Sequence, residues 1–130
     1  MSVKPERPLG FVRARLRSFV YAWRGLVALV LTQGNAHVHL AATLGVVIAG
    51  VHFRVTHGEW IALVLSIGGV WGAEGMNTAI EAIADRITTE QDPLIARAKD
   101  VAAGAVLLAA IAAAIVGLLI FWPRIVAMFH

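Results

Sequence analysis

Four polar residues that could take part in chemistry lie at helical spacing in an apolar part of the chain. They are Glu74, Asn77, Glu81 and Asp85, separated by three, four and four residues. At about 100° per residue, their side chains fall within a window of about 80° on a helix. The three carboxylates and the amide are therefore predicted to share one face and to form one elongated acidic site.

The spacing favours two separate tasks over a single metal centre. Glu74 and Glu81 would be about 10 Å apart along a helix axis, which is too far to bind the same ion. Carboxylate oxygen suits a divalent cation, so Glu81 is a candidate metal ligand, and Glu74 is a candidate base for an alcohol. Lys99, predicted at a similar level on the next helix, could neutralise phosphate oxygens. This combination is typical of phosphoryl transfer, although the chain has neither a GxxxxGK[ST] nor a GxGxxG loop.

The composition indicates that these residues belong to a membrane protein. Of the 130 residues, 59% are apolar and 15% are charged, and the mean hydropathy is +0.78. Soluble domains are typically about 45–50% apolar and about 25% charged, so the composition excludes an ordinary soluble domain and a disordered or fibrous chain. The absence of cysteine excludes a disulfide scaffold, a thiol nucleophile and a zinc–thiolate site. A single domain over residues 1–130 is expected.

Three segments are predicted to cross the bilayer as helices, because backbone groups in lipid must be hydrogen-bonded internally. They cover about residues 37–56, 60–87 and 93–122, and the second carries the acidic face. The third includes 22 consecutive uncharged residues. These would form about 33 Å of helix. Asp92 followed by Pro93 predicts the N-terminus of this helix.

Residues 9–31 are predicted to form an amphipathic helix on the membrane surface. Its apolar face consists of Phe11, Leu16, Phe19, Val20, Trp23 and Val27, and its basic face of Arg13, Arg17 and Arg24. A cleaved signal peptide is the alternative interpretation, with residues 26–31 as its apolar core. That run is short, and residues 32–35 form a poor cleavage site.

The distribution of basic residues predicts how the chain is oriented. Six of the 11 Lys and Arg residues precede residue 25, and three more lie between residues 86 and 99. The positive-inside rule therefore places the N-terminus and the second loop in the cytoplasm, with the first loop and the C-terminus outside. The net charge of +3 does not indicate a nucleic-acid partner, because the basic residues are concentrated in the segments predicted to be cytoplasmic.

Two other interpretations of the acidic face remain open. A charged residue at the bilayer centre costs at least about 2.5–3.5 kcal/mol, so these acids need partners, a metal or water. They could conduct protons or cations through a helical bundle. Alternatively, Glu81 and Asp85 could reach the interface and simply be solvated, an explanation that suits Asp85 better than the deeper Glu74.

The acidic face and the start of the next helix resemble the small prokaryotic membrane-integral lipid kinases, the diacylglycerol kinase and undecaprenol kinase family. The similar stretches are Glu74-Gly-Met-Asn77-Thr-Ala-Ile-Glu81-Ala-Ile-Ala-Asp85 and Ala96-Arg-Ala-Lys99-Asp100-Val-Ala-Ala-Gly-Ala. Tyr21-Ala-Trp23-Arg24-Gly25 and Asn35-Ala-His37-Val-His39 are similar as well. The resemblance thus extends from about residue 17 to residue 122.

The resemblance implies an all-α homotrimer in the prokaryotic inner membrane, with active sites between subunits. It implies transfer of phosphate from ATP, with Mg²⁺, to diacylglycerol or undecaprenol at the cytoplasmic face. Glu74 matches the catalytic base, Asn77 the essential amide of the motif and Glu81 a metal-binding carboxylate. The predicted nucleotide-binding set is Tyr21, Glu81, Asp85, Glu90, Asp92, Lys99 and Asp100.

The chain departs from the family pattern at the end of the surface helix. Gln33 stands where the family usually has a second metal-binding glutamate, and His37 where many members have arginine. An amide oxygen can bind Mg²⁺ without adding charge. Three hypotheses for Gln33 therefore stay open: neutral variation, a retuned metal site, or a catalytically weakened relative of the family. Candidate contacts to the lipid substrate are Asn35, His37 and His39. For His39, a polar residue at the membrane interface is the alternative.

Overall fold

The structure is a computed structural model that describes residues 8–87, 90 and 92–129. Within these residues, the chain forms four α-helices, which confirms the all-α prediction. They are α1 (Pro8–Thr32), α2 (Gly34–His52), α3 (His57–Ile87) and α4 (Pro93–Ala127).

The helix boundaries differ from the predicted ones mainly around α2 and α4. Helix α2 begins at Gly34 and ends at His52, where residues 37–56 were expected. Gln33, in extended conformation (φ −104°, ψ 121°), separates it from α1. Helix α4 runs five residues past the predicted end at residue 122, through Pro123. Arg124 Nη1 donates to the carbonyl of Ile120 (2.6 Å), which supports the helix where proline disrupts the backbone ladder.

The turn between α2 and α3 ends in a capping box that begins α3 three residues earlier than predicted. The Thr56 N–H donates to Glu59 Oε2 (2.7 Å), and the Glu59 N–H donates to Thr56 Oγ1 (3.3 Å). These reciprocal bonds satisfy two backbone donors at the helix start. Just before them, Arg54 has a positive φ of 50°.

Helix α4 begins as the sequence indicates. Asp92 is the N-cap, and its Oδ1 accepts hydrogen bonds from the backbone N–H groups of Leu94 (2.7 Å) and Ile95 (3.2 Å). Pro93 occupies the first turn, where its missing N–H has no cost.

Helices α3 and α4 pack together along their length, and α2 covers part of α3. The core lies at the end of the bundle where α3 begins, around Val55, Leu63 and Ile120. Gly50 permits close contact between α2 and α3, since a Cβ there would lie 2.6 Å from Cη2 of Trp60. The packing therefore fixes where α2 crosses α3.

In the described part of the chain, two helices, α2 and α4, are long and apolar enough to cross a membrane. Helix α3 has 31 residues and is long enough, at about 46 Å, but its acidic residues lower its hydropathy. Most large apolar side chains of the single chain are exposed, including many on α1. The third span and the surface position of α1 remain predictions.

Candidate functional site

The acidic face of α3 lines a partly open cavity of about 340 Å³ between three helices. Helix α3 contributes Glu74, Asn77 and Glu81 to its wall. Helix α2 adds Asn35 and His39. The wall that α4 provides is apolar and consists of Ala103, Val106, Leu107 and Ala110. The structure therefore brings together the predicted base, the predicted amide, the predicted metal ligand and two of the three predicted lipid contacts.

Glu74 and Asn77 are buried polar residues whose hydrogen-bonding capacity is not used up. Glu74 is 2% exposed, and its Oε2 has no hydrogen-bond partner among the described residues. Asn77 Nδ2 donates to Glu81 Oε1 (3.2 Å), whereas its Oδ1 has no partner within the described part of the chain. Buried polar atoms are nearly always hydrogen-bonded, so these oxygens point to a ligand that the site receives.

Asp85 lies one turn beyond Glu81 and has different surroundings. Its carboxylate is exposed and accepts a hydrogen bond from Lys99 Nζ at 2.9 Å. Lys99 on α4 is thus held at the level of the acidic face, as predicted. It sits beside a carboxylate, with which an incoming phosphate would have to compete.

The remaining predicted residues lie outside the cavity wall. Tyr21 on α1 is 64% exposed, and His37, Glu90 and Asp100 are exposed. Asp92 caps α4, and Gln33 occupies the junction between α1 and α2. The single chain therefore does not gather the predicted nucleotide-binding set, nor does it place Gln33 beside Glu81 in the wall of the cavity.

The oxygen atoms of the cavity fit a hard cation. Among the described residues, no three His, Asp or Glu side chains come close enough to hold a metal by themselves. Mg²⁺ is commonly bound by one or two carboxylates together with substrate phosphates and water, so this finding does not conflict with a magnesium site. Glu81 can supply carboxylate oxygens as metal ligands. Asn77 Oδ1, which has no hydrogen-bond partner among the described residues, can supply another.

An apolar groove of about 550 Å³ adjoins the acidic cavity, and sequence reasoning did not predict it. The two share His39 and Ala110, and the groove extends along α2, α3 and α4 to Phe121 and Trp122. Small residues at positions 110, 113, 114 and 117 leave this space on α4. Their helical spacing is the signal that could have revealed it.

A second ion pair that sequence reasoning missed lies at the other end of α3. Arg124 of α4 donates to both carboxylate oxygens of Glu59, at 2.9 and 2.8 Å. The hydrogen bonds from Arg124 hold the pKa of Glu59 below its usual value. Glu59 is about 22 Å from Glu74 along the helix, so the pair joins α3 to α4 without contributing to the acidic cavity.

The fold and the site together define a class of protein. It is an all-α protein with helices suited to a membrane, in which the buried Glu74 and the half-buried Glu81 line a partly open cavity that adjoins an apolar groove.

Comparison with known proteins identifies the family. Residues 20–121 match the model of the family described as prokaryotic diacylglycerol kinase, to which this chain therefore belongs. It is a membrane protein and a lipid kinase, and kinases of this kind use ATP. The resemblance on which the sequence interpretation rested is thus confirmed.

Three relatives illustrate the range of the family. The chain is 43% identical over 109 residues to an undecaprenol kinase from Bacillus subtilis, which covers 84% of this chain and 89% of the relative. It is 39% identical over 117 residues to a diacylglycerol kinase from Synechocystis, covering 87% of this chain and 65% of the relative. It is 34% identical over 115 residues to a diacylglycerol kinase from Escherichia coli, covering 88% of this chain and 93% of the relative.

Proposed function

We propose that this protein transfers the γ-phosphate of ATP to the hydroxyl group of a membrane lipid, either undecaprenol or diacylglycerol. The observation that carries the proposal is the buried Glu74 carboxylate, which faces a cavity joined to an apolar groove and whose Oε2 has no hydrogen-bond partner among the residues that the structure describes. A lipid alcohol matches this arrangement, since its hydroxyl suits the carboxylate and its hydrocarbon tail suits the groove.

Glu74 is the base in this mechanism. Its carboxylate takes the proton of the lipid hydroxyl as that oxygen bonds to the γ-phosphorus. The bond between the γ-phosphorus and its bridging oxygen breaks, and ADP leaves with the electron pair. Glu74 later releases the proton to solvent. Burial of Glu74 supports this role, because a fully solvated carboxylate would hydrogen-bond water instead of the substrate.

Asn77 and Glu81 are the proposed residues for binding Mg²⁺ next to the transferring phosphate. Asn77 fixes the Glu81 carboxylate by a hydrogen bond, and both present oxygen atoms suited to Mg²⁺. When bound there, Mg²⁺ would neutralise negative charge on the transferring phosphate. Lys99 is proposed to bind phosphate oxygens, which requires it to leave or share its contact with Asp85. The proposed nucleotide contacts further out are Tyr21, Glu90, Asp92 and Asp100.

The proposed assembly is a homotrimer of single-domain subunits, each with three spans and α1 on the cytoplasmic surface. The extensive apolar surface of the isolated chain supports burial against lipid and other copies. Within one chain, the predicted nucleotide-binding residues do not all lie together. This supports active sites that are completed by a neighbouring subunit. Gln33 and His37 would then belong to the outer part of such a composite site, whereas Asn35 lines the cavity as a proposed lipid contact.

Undecaprenol is the first substrate to test, because the undecaprenol kinase from Bacillus subtilis shares 43% identity with this chain. Purified protein in micelles should be supplied with Mg·ATP and, side by side, with undecaprenol or a short-chain diacylglycerol. Formation of lipid phosphate supports the proposal, and the ratio of kcat/KM values identifies the preferred alcohol. Proton flux through vesicles without any lipid phosphate would instead favour the ion-conducting bundle.

Glu74→Gln should reduce lipid phosphorylation at least about 100-fold, because general-base catalysis typically contributes that much or more. Glu59→Gln is the matched control, since it removes a carboxylate from the far end of the same helix and should retain activity. Both variants should elute like the wild type in size-exclusion chromatography. An active Glu74→Gln protein would remove Glu74 from the mechanism. An inactive wild type would favour a catalytically weakened relative.

A further inference from the structure

The structure places the ionisable side chain of His39 close to Glu74. Its Nε2 lies 3.7 Å from Glu74 Oε2, the oxygen that lacks a hydrogen-bond partner among the described residues. The imidazole also stands where the acidic cavity meets the apolar groove, since it lines both. A lipid hydroxyl that enters from the groove would therefore reach Glu74 beside this ring.

The position of His39 is fixed by neighbours that have no assigned role. Trp71 on α3 lies edge-on to the imidazole, with ring centroids 6.3 Å apart and an angle of 65° between the rings. Trp71 Nε1 donates to Thr43 Oγ1 (3.1 Å), and Thr43 Oγ1 donates to the backbone carbonyl of His39 (2.7 Å). Trp71 is one turn before Glu74 on α3, so the indole and the carboxylate both lie beside the imidazole.

Two other donors near the cavity are already engaged, and Asn35, which also lines the wall, donates no hydrogen bond to Glu74 Oε2. Asn77 Nδ2 is bound to Glu81, and Lys99 is bound to Asp85. Helix α4 contributes only apolar side chains to the described wall. An imidazole nitrogen that carries a proton is well placed to supply the missing donor to Glu74.

We infer that His39 is a positioning residue: its Nε2–H donates to Glu74 Oε2 and so leaves Oε1 to accept the proton of the lipid hydroxyl. The inference rests on the proposed function. The present separation of 3.7 Å exceeds a hydrogen bond, and a closure of about 0.5 Å would form one. Catalytic hydrogen bonds commonly tighten in this way when substrate binds.

This role differs from a direct contact with the lipid and can be separated from it by kinetics. A positioning residue acts on the base, so its loss lowers kcat and leaves KM for the lipid nearly unchanged. A residue that only binds the lipid would raise KM instead. A residue that only packs against Trp71 would be replaced successfully by another aromatic ring.

The test compares two substitutions at position 39 in the full-length protein in micelles. His39→Phe keeps a ring beside Trp71 without a nitrogen and should lower kcat by about 10–100-fold, with KM for the lipid within about twofold. His39→Gln restores an N–H donor and should recover a substantial part of kcat. His52→Phe, at the exposed C-terminal end of α2, is the matched control and should behave like the wild type.

Three results would overturn the inference while leaving the proposed function intact. They are a His39→Phe protein with normal kcat, one with a raised KM alone, and equal losses in both variants. An inactive wild type would instead contradict the proposed function. If either variant fails to fold, ¹⁵N NMR of the wild type with labelled histidine can test the inference, because it shows which ring nitrogen of His39 carries the proton. A proton on Nε2 of His39 whose signal shifts in Glu74→Gln supports the role, and an Nδ1–H tautomer excludes it.

Discussion

Glu74 and Asp85 are carboxylates on one helical face whose surroundings have little in common. Glu74 is buried, and one of its oxygens has no hydrogen-bond partner in the described part of the chain, whereas Asp85 is exposed and paired with Lys99. Desolvation makes an unpaired buried carboxylate costly, while an exposed pair is nearly neutral in energy. The interpretation of a merely solvated residue therefore suits Asp85 in the single chain and does not explain Glu74.

Gln33 is the residue at which a single change should alter the proposed metal requirement. Gln33→Glu adds a negative charge, and the affinity of a magnesium site rises with the charge of its ligands. The Mg²⁺ concentration that gives half-maximal lipid phosphorylation should fall by about tenfold. The measurement is a magnesium titration at saturating ATP and lipid.

Thr32→Glu is the control for Gln33→Glu because it adds the same charge one residue earlier, at an exposed position. Its magnesium titration should match that of the wild type. An equal shift in both variants would show that the effect is a general one of surface charge. An unchanged titration in Gln33→Glu would exclude any contact between this position and the metal.

At the scale of elements, two ion pairs join α3 to α4 at opposite ends. Lys99 pairs with Asp85 near the end of α3, and Arg124 pairs with Glu59 near its start. The acidic cavity lies between them, and Glu59 is about 22 Å from Glu74 along the helix. The Lys99–Asp85 pair is largely exposed and adds little stability, whereas the Glu59–Arg124 pair is half-buried and joined by two hydrogen bonds.

The pair between Glu59 and Arg124 should make stability depend on pH. Because Arg124 lowers the pKa of Glu59, its stabilising effect is fully present above the usual glutamate value of 4.5 and is lost as the pH falls through the lower folded-state value. In micelles, the Tm of the wild type should exceed that of Glu59→Gln above about pH 5.

At still lower pH the two Tm values should converge, since protonated Glu59 and glutamine both lack the charge. Measuring the difference between the two proteins cancels the titration of the other acids. A difference in Tm that stays constant from neutral to acidic pH would show that the carboxylate charge is not what stabilises this end of the bundle.

At the scale of the whole molecule, the exposed apolar surface requires a bilayer, further copies or both. Two helices satisfy the criteria for a span in the described chain, and α3 is long enough for a third. Three spans would place the termini on opposite sides. The acidic end of α3 would then face the same side as the basic N-terminal segment.

The orientation can be tested with introduced cysteines because the natural chain has none. His57→Cys, at the first residue of α3, should react with a membrane-impermeant maleimide in intact cells. Ser2→Cys should react only after the membrane is permeabilised. Retained lipid kinase activity in both variants confirms normal assembly, and the reverse labelling pattern would overturn the predicted orientation.

Much of the fold was predictable because helices are local structures. The apolar runs and the pair formed by Asp92 and Pro93 indicate where helices form and where α4 begins, and the structure agrees. The early start of α3 was also encoded, in the capping box of Thr56 and Glu59, but was not recognised. The extension of α4 has a local support, from Arg124 to the Ile120 carbonyl, and a non-local one, because Arg124 also binds Glu59 across the bundle.

The sequence by itself determined the acidic face and the family. Residue spacing fixes the angles between side chains around a helix, and the family motif is a pattern of residue types along the chain. Only the tertiary structure decided that Glu74 is buried while Asp85 is exposed, that His39 meets Glu74, and that a groove adjoins the cavity. Burial and contact between residues 35 positions apart depend on how α2 and α4 pack on α3, and no local pattern specifies that packing.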